Sequence, residues 1–247
     1  MSKIKIKKRR IFTVVSLSIL FVIAIVCAIY LGDYYRADED AIAAFGEKSH
    51  VSYSVTDGDD IVFYPDGART GVIFYPGGKV EYTAYIPLMQ HLAEEGIMTA
   101  LLKMPFNLAV LDVNAAGKTV EAYPEIEEWY IGGHSLGGSM AASYLEKNPD
   151  TFKGLLLLGS YSTADISSYN VSVLSVYGSE DGVMNRVKYE NSKANLPKEF
   201  SEIVIDGGCH AYFGLYGEQD GDGVATISPE QQINETARLI LDFIKNG

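Results

Sequence analysis

Hydrophobic positions fall into two regimes along this chain. The first is a single uncharged stretch, Ile11 to Leu31, entered from a basic decapeptide. At about 1.5 Å per residue a helix of that length reaches roughly 30 Å, the thickness of a bilayer's hydrocarbon core, so the stretch is predicted as a transmembrane anchor. The second regime begins after residue 50. Two short alternating runs, Val51–Val55 and Ile61–Tyr64, flank the turn-prone Asp57-Gly58-Asp59-Asp60 and predict an antiparallel hairpin. Apolar runs at Gly71–Tyr75, Ile97–Leu102, Trp129–Gly132, Gly154–Leu158, Val171–Val176 and Glu202–Ile205 then alternate with helix-length segments near residues 81–95, 107–120, 137–147, 184–193 and 229–245. Runs with little polar alternation belong to strands covered on both faces, and strand–helix alternation builds a mostly parallel central sheet flanked by helices. The fold class is α/β, and its chemistry is to be sought in loops at the carboxyl ends of strands.

The expected organisation is a basic tail (1–10), an anchor (11–31), a juxtamembrane segment (32–50) and one folded domain (51–247). Charge sharpens this division. Residues 1–10 carry six of the 20 basic residues and no acidic one, although the whole chain has a net charge of −12. The acidic body argues against nucleic acid as a partner, and the basic tail, by the positive-inside rule, is expected in the cytoplasm with the domain outside it. A cleaved signal peptide is the competing reading and would make the protein secreted. Signal cores are shorter, however, and the nearest small-x-small site, Ala41-Ile42-Ala43, lies well past the apolar run. Val26 stands before Cys27 where a lipoprotein signal needs a small residue. Two cysteines and four histidines without metal-ligand spacing predict no disulfide framework, no metal site and no cofactor.

The chemistry-bearing residues lie at strand ends. Gly133-His134-Ser135-Leu136-Gly137 has the G-x-S-x-G spacing, with an apolar strand before it and a helix of small residues after it. In that context a serine sits on a tight strand-to-helix turn that lifts its hydroxyl out of the sheet. A serine needs a base and an acid to orient the base. His210, the sole histidine downstream, follows the run Glu202–Ile205 and is the candidate base. Asp181 follows Val171–Val176 and is the candidate acid, with Glu180 and Asp165 as rivals. An oxyanion formed on attack needs backbone N–H donors. Leu136 is one candidate, and Gly78 in Pro76-Gly77-Gly78-Lys79 the other, with Lys79 as its alternative.

Together these residues resemble the α/β-hydrolase superfamily over nearly all of residues 51–247. Within it, PGGK, the stretch Lys103–Asn107, GGHSLGG, YGSEDG and GGCHAYFG look like small, lid-free bacterial hydrolases related to dienelactone hydrolase. The resemblance implies a catalytic triad of Ser135, Asp181 and His210. This chain departs from dienelactone hydrolase in having serine where that enzyme has cysteine, which moves the expected chemistry towards ester or thioester hydrolysis. It also has Pro76 where many relatives carry histidine in the oxyanion loop.

Only about a dozen residues separate the runs Gly154–Leu158 and Val171–Val176, too few for a helical cap, so the substrate is expected to be a small ester. The aromatic loop after His210 is expected to wall one side of the site, and Asp220-Gly221-Asp222-Gly223 to be a solvated turn without the full spacing of a calcium loop. His91, His134 and Cys209 are assigned no role in the chemistry. Against the serine hydrolase stands a second reading, a catalytically silent scaffold that binds a small molecule or a surface partner.

Overall fold

The computed structural model describes residues 2–46 and 50–246, which divide into two units, Met1–Tyr34 and Tyr35–Gly247. In the first, helix α1 (Ser2–Gly32) contains Phe12–Gly32, a segment long and apolar enough to cross a membrane or to serve as a signal sequence. No proline or glycine interrupts it before Gly32, where the helix ends, as helix propensities require.

The second unit opens at Tyr35, whose N–H donates to the Lys79 carbonyl (2.8 Å) and whose carbonyl accepts from Glu81 N–H (2.9 Å). Residues 35–46 are therefore part of the folded unit. Asp38 starts the short helix α2 (Glu39–Gly46) by accepting from the Ala41 N–H at 3.0 Å. The sheet follows: β1 (Tyr53–Val55), β2 (Ile61–Phe63), β3 (Thr70–Tyr75), then helix α3 (Ile86–Glu94) and β4 (Met98–Leu101). After α4 (Ala116–Ala122) come β5 (Glu128–His134), α5 (Leu136–Lys147), β6 (Phe152–Leu158) and β7 (Ser172–Gly178). Helix α6 (Arg186–Ser192), β8 (Ser201–Ile205) and α7 (Pro229–Asn246) complete the unit. The strands lie in the order β1-β2-β4-β3-β5-β6-β7-β8; the β1–β2 and β2–β4 pairs are antiparallel and all others parallel.

Strand alternation explains why the apolar runs are unbroken. Val72 and Phe74 on β3, Leu156 and Leu158 on β6, and Leu174 and Val176 on β7 point into one core, with Leu88 of α3 and Ile233 and Ile240 of α7. Their neighbours Ile73, Tyr75, Leu155, Leu157 and Val173 point into a second core, with Ala116 of α4 and Ala141, Ala142 and Leu145 of α5. Strands β3, β6 and β7 thus lose water on both faces, and the edges left for chemistry are the loops.

One expected helix is shorter than its sequence pattern. Over residues 107–120 only Ala116–Ala122 is α-helical, preceded by two single 3-10 turns, Pro105–Asn107 and Ala109–Leu111. Phe106 (φ 52°) and Asn107 (φ 56°) are left-handed, a conformation that interrupts a right-handed helix, and the Asn107 carbonyl is drawn aside to accept from the Lys79 N–H at 2.8 Å.

Helix α7 starts in a capping box: Ser228 Oγ accepts from the Gln231 N–H (3.2 Å) while Gln231 Oε1 accepts from the Ser228 N–H (2.8 Å). One residue on, the fully buried Gln232 holds the main chain of Cys209, accepting from its N–H at 3.0 Å and donating to its carbonyl at 2.8 Å. Gln232→Leu keeps the volume but strands both groups without water. It is expected to lower the unfolding free energy by about 2–4 kcal/mol, read from urea midpoints at an unchanged m-value.

Candidate active site

Gly133 at the end of β5 pairs in register with Tyr75 of β3 and Leu157 of β6, so the carboxyl edge of the sheet converges at the turn that follows. Ser135 occupies that turn with φ 52° and ψ −121°, a backbone conformation that costs a non-glycine residue strain. The surroundings hold it there. Its N–H donates to the Leu158 carbonyl (2.9 Å), and its carbonyl accepts from Ser160 Oγ (2.6 Å). Gly137 lets α5 begin this close to the sheet: a Cβ there would run into the carbonyls of Tyr75 and Pro76.

Asp181 and His210 arrive from the turns after β7 and β8. His210 Nδ1 lies 2.8 Å from Asp181 Oδ2, with both side chains buried. Because the ionised carboxylate only accepts, the imidazole donates from Nδ1 and leaves the Nε2 lone pair as its basic position. Asp181 Oδ1 is occupied as well, accepting from the N–H groups of Val183 (3.0 Å) and Met184 (2.8 Å). His210 Nε2 has no hydrogen-bond partner among the described residues, that of Ser135 included. Ser135 and His210 nevertheless line one cleft of about 260 Å³, together with Leu136, Tyr161 and Val183.

The rivals for the acid lie elsewhere. Glu180 is exposed and takes the Ser179 hydroxyl at 3.0 Å, and Asp165 accepts from the Ser167 N–H and hydroxyl on the surface. In the loop after β3, Lys79 N–H is spent on the Asn107 carbonyl, and Gly77 N–H donates to the Tyr85 hydroxyl at 3.1 Å. Gly78 lies between them against Leu136: a Cβ on Gly78 would come within 2.9 Å of the Leu136 side chain. As the first residue of α5, Leu136 has an N–H without an intrahelical acceptor.

Three structural features carry no clear signal in the sequence. Gly159 (φ 50°) lies over the Asp181–His210 pair, and a Cβ there would stand 3.0 Å from His210 Nδ1. Its only mark in sequence is a glycine at the end of an apolar run. Tyr85, fully buried, accepts from Gly77 N–H and lies 2.7 Å from His134 Nδ1. Burial pushes the Tyr85 phenol well above its ordinary range, so it stays protonated while hydrogen-bonded to His134 Nδ1. Burial and the neighbouring His210 in turn hold the His134 imidazole well below its ordinary range, in the neutral form. The third feature is the aromatic loop after His210, which does not wall the cleft: Phe213 and Tyr216 are buried beneath it, with the Phe213 ring 5.4 Å from that of His134. The Cys209 thiol is also buried, and desolvation with the nearby Asp222 charge pushes it up to about 12, so it stays protonated at neutral pH.

No helix is inserted between β6 and β7: residues 159–171 form bends, turns and irregular chain. Among solved structures the chain is similar to Est1E from Butyrivibrio proteoclasticus (15% identity, 80% of this chain and 100% of that one, TM-score 0.54). It is also similar to TT1662 from Thermus thermophilus (13%, 80% and 98%, 0.58) and to a dienelactone hydrolase from Anabaena variabilis (15%, 79% and 97%, 0.52). At these identities the likeness is one of fold. No curated protein matches the sequence. A family model described as the alpha/beta hydrolase family matches residues 71–234, which takes in the serine turn and both loops that supply Asp181 and His210, and the chain belongs to that family.

Proposed function

We propose that this hydrolase cleaves carboxylic esters, or thioesters, through an acyl-enzyme on Ser135. The observation that carries the reading is the buried Asp181–His210 pair, whose unpartnered Nε2 shares a cleft with a serine on a strained turn. Rotation of the Ser135 hydroxyl towards Nε2 completes the line of proton transfer as substrate enters, since hydrogen bonds of this kind tighten in the substrate complex. Ser135 Oγ attacks the acyl carbon and gives its proton to Nε2, while Asp181 holds the imidazolium through Nδ1–H. The N–H groups of Leu136 and Gly78 receive the oxyanion. Collapse expels the alcohol or thiol, which takes the proton from Nε2. Water then loses a proton to Nε2 and attacks the acyl-enzyme, and collapse releases the carboxylic acid as Ser135 Oγ takes the proton back from Nε2.

Gly78 is preferred over Lys79 as second donor because the Lys79 N–H already has an acceptor. The name of Est1E, which marks an esterase, and the dienelactone hydrolase among the structural neighbours favour a small carbonyl ester over other substrates. The Phe12–Gly32 segment serves as an uncleaved anchor, with the basic tail in the cytoplasm and the hydrolase unit on the opposite side.

A fluorophosphonate probe is expected to label the wild-type chain and to leave Ser135→Ala unlabelled. His210→Ala and Asp181→Asn should reduce kcat on p-nitrophenyl acetate by roughly 10³-fold or more, with far smaller changes in KM. Failure of the wild type to label beside a competent esterase would favour the silent scaffold. The small uncapped cleft predicts that kcat/KM falls as the acyl chain lengthens from acetyl to octanoyl, and a rise along that series would refute the inferred size limit. In its native host the full-length chain should stay in the membrane pellet after alkaline carbonate extraction, whereas a shortened, soluble product would show cleavage.

A further inference from the structure

The turn Asp220-Gly221-Asp222-Gly223, expected from sequence to be solvated, instead inserts a carboxylate between the two loops that carry Asp181 and His210. Asp222 accepts four main-chain N–H groups. Oδ1 takes Gly182 at 3.0 Å, His210 at 3.1 Å and Gly223 at 2.9 Å, and Oδ2 takes Ala211 at 2.8 Å. Gly182 directly follows Asp181. One side chain therefore binds the main chain next to the acid and the main chain of the base itself. Other bonds between these loops lie nearer the sheet: Glu180 N–H to the Gly208 carbonyl, and Gly207 N–H to Ser179 Oγ, each at 2.8 Å. They hold the bases of the loops, and Asp222 holds the tips.

Only an ionised carboxylate can do this. Burial alone would push the Asp222 carboxyl up, but the N–H groups of Ala211, Gly182, His210 and Gly223 outweigh it and hold the group below its ordinary range. An amide in its place would turn an acceptor oxygen into an NH₂ facing N–H donors. The packing is also close: a Cβ on Gly182 would come within 2.6 Å of the Gly221 carbonyl.

We infer that Asp222 is a positioning residue for the Asp181–His210 pair, its carboxylate setting the separation and orientation of the two loops that present them. The inference rests on the hydrolase reading above. Its consequence is catalytic because misplacing reacting groups by about 1 Å costs on the order of 10²-fold in rate.

The test compares the full-length wild type in detergent with Asp222→Asn and Asp222→Glu, and with Asp220→Asn as an exposed control on the same turn. Turnover of p-nitrophenyl acetate is normalised to active sites titrated with fluorophosphonate, and amide hydrogen exchange is followed over residues 178–185 and 206–214. Asp222→Asn is expected to lose about 10- to 100-fold in kcat per titrated site with KM within about twofold, and to exchange faster in both loops but not in β3 or β5. Asp222→Glu, which keeps the charge on a longer arm, should fall between, and Asp220→Asn should match the wild type. A residue that merely holds the fold together would lower the titratable fraction and leave turnover per site unchanged. That outcome, or unaltered exchange in either loop, overturns the inference. If Asp222→Asn does not fold, Asp222→Glu is judged by the same criteria. A wild type that neither labels nor turns over sinks the hydrolase reading by itself, and the exchange comparison still decides whether Asp222 ties the loops.

Discussion

A carboxylate removed from water must have its lone pairs met, and at Asp181 this requirement organises one corner of the molecule. Two main-chain donors from its own turn and the His210 imidazole fill its oxygens. Left with fewer partners, a buried carboxylate would lose the hydrogen bonds that stand in for water. The turn after β7 therefore has to curl so that successive N–H groups point inwards, Gly182 to Asp222 and Val183 and Met184 to Asp181. Gly159 must lack a side chain so that the pair can close beneath it.

On the other side of the cleft the constraint is steric. The strained Ser135 backbone persists because β6 and α5 hold it from both sides, through Leu158, Ser160 and the close approach of Gly137 to β3. The same region is braced from below by a run of polar contacts inside an apolar core, from the Gly77 main chain through Tyr85 to His134. The loop after β3 and the serine turn thus share one buried phenol, which links the position of the one to that of the other.

Much of this was legible in the residues. Apolar runs mark β3 to β7 because strands buried on both faces cannot alternate, and the G-x-S-x-G turn is readable because close packing at fixed spacing demands glycine. The positions of Ser135, Asp181 and His210 at strand ends follow from the same pattern. The rest depends on tertiary contacts that leave no local mark. The apolar stretch 107–120 has helical composition, but two left-handed residues and a bond to Lys79 cut it short. Asp222 reads as a solvated turn residue because three of its four partners are main-chain groups 11 or more positions away, and main-chain groups carry no sequence signature. The aromatic loop departs from expectation for a related reason: composition shows that Phe213 and Tyr216 want burial, not which side of His210 they will occupy.

The cleft itself divides its labour unevenly. Tyr161 and Val183 both line it, yet they serve the scaffold through their main chains, one accepting from the Ser139 hydroxyl and the other donating to Asp181. What they present to an incoming molecule is decoupled from what they do for the architecture. Either side chain can accordingly be exchanged without removing the hydrogen bond that its main chain makes.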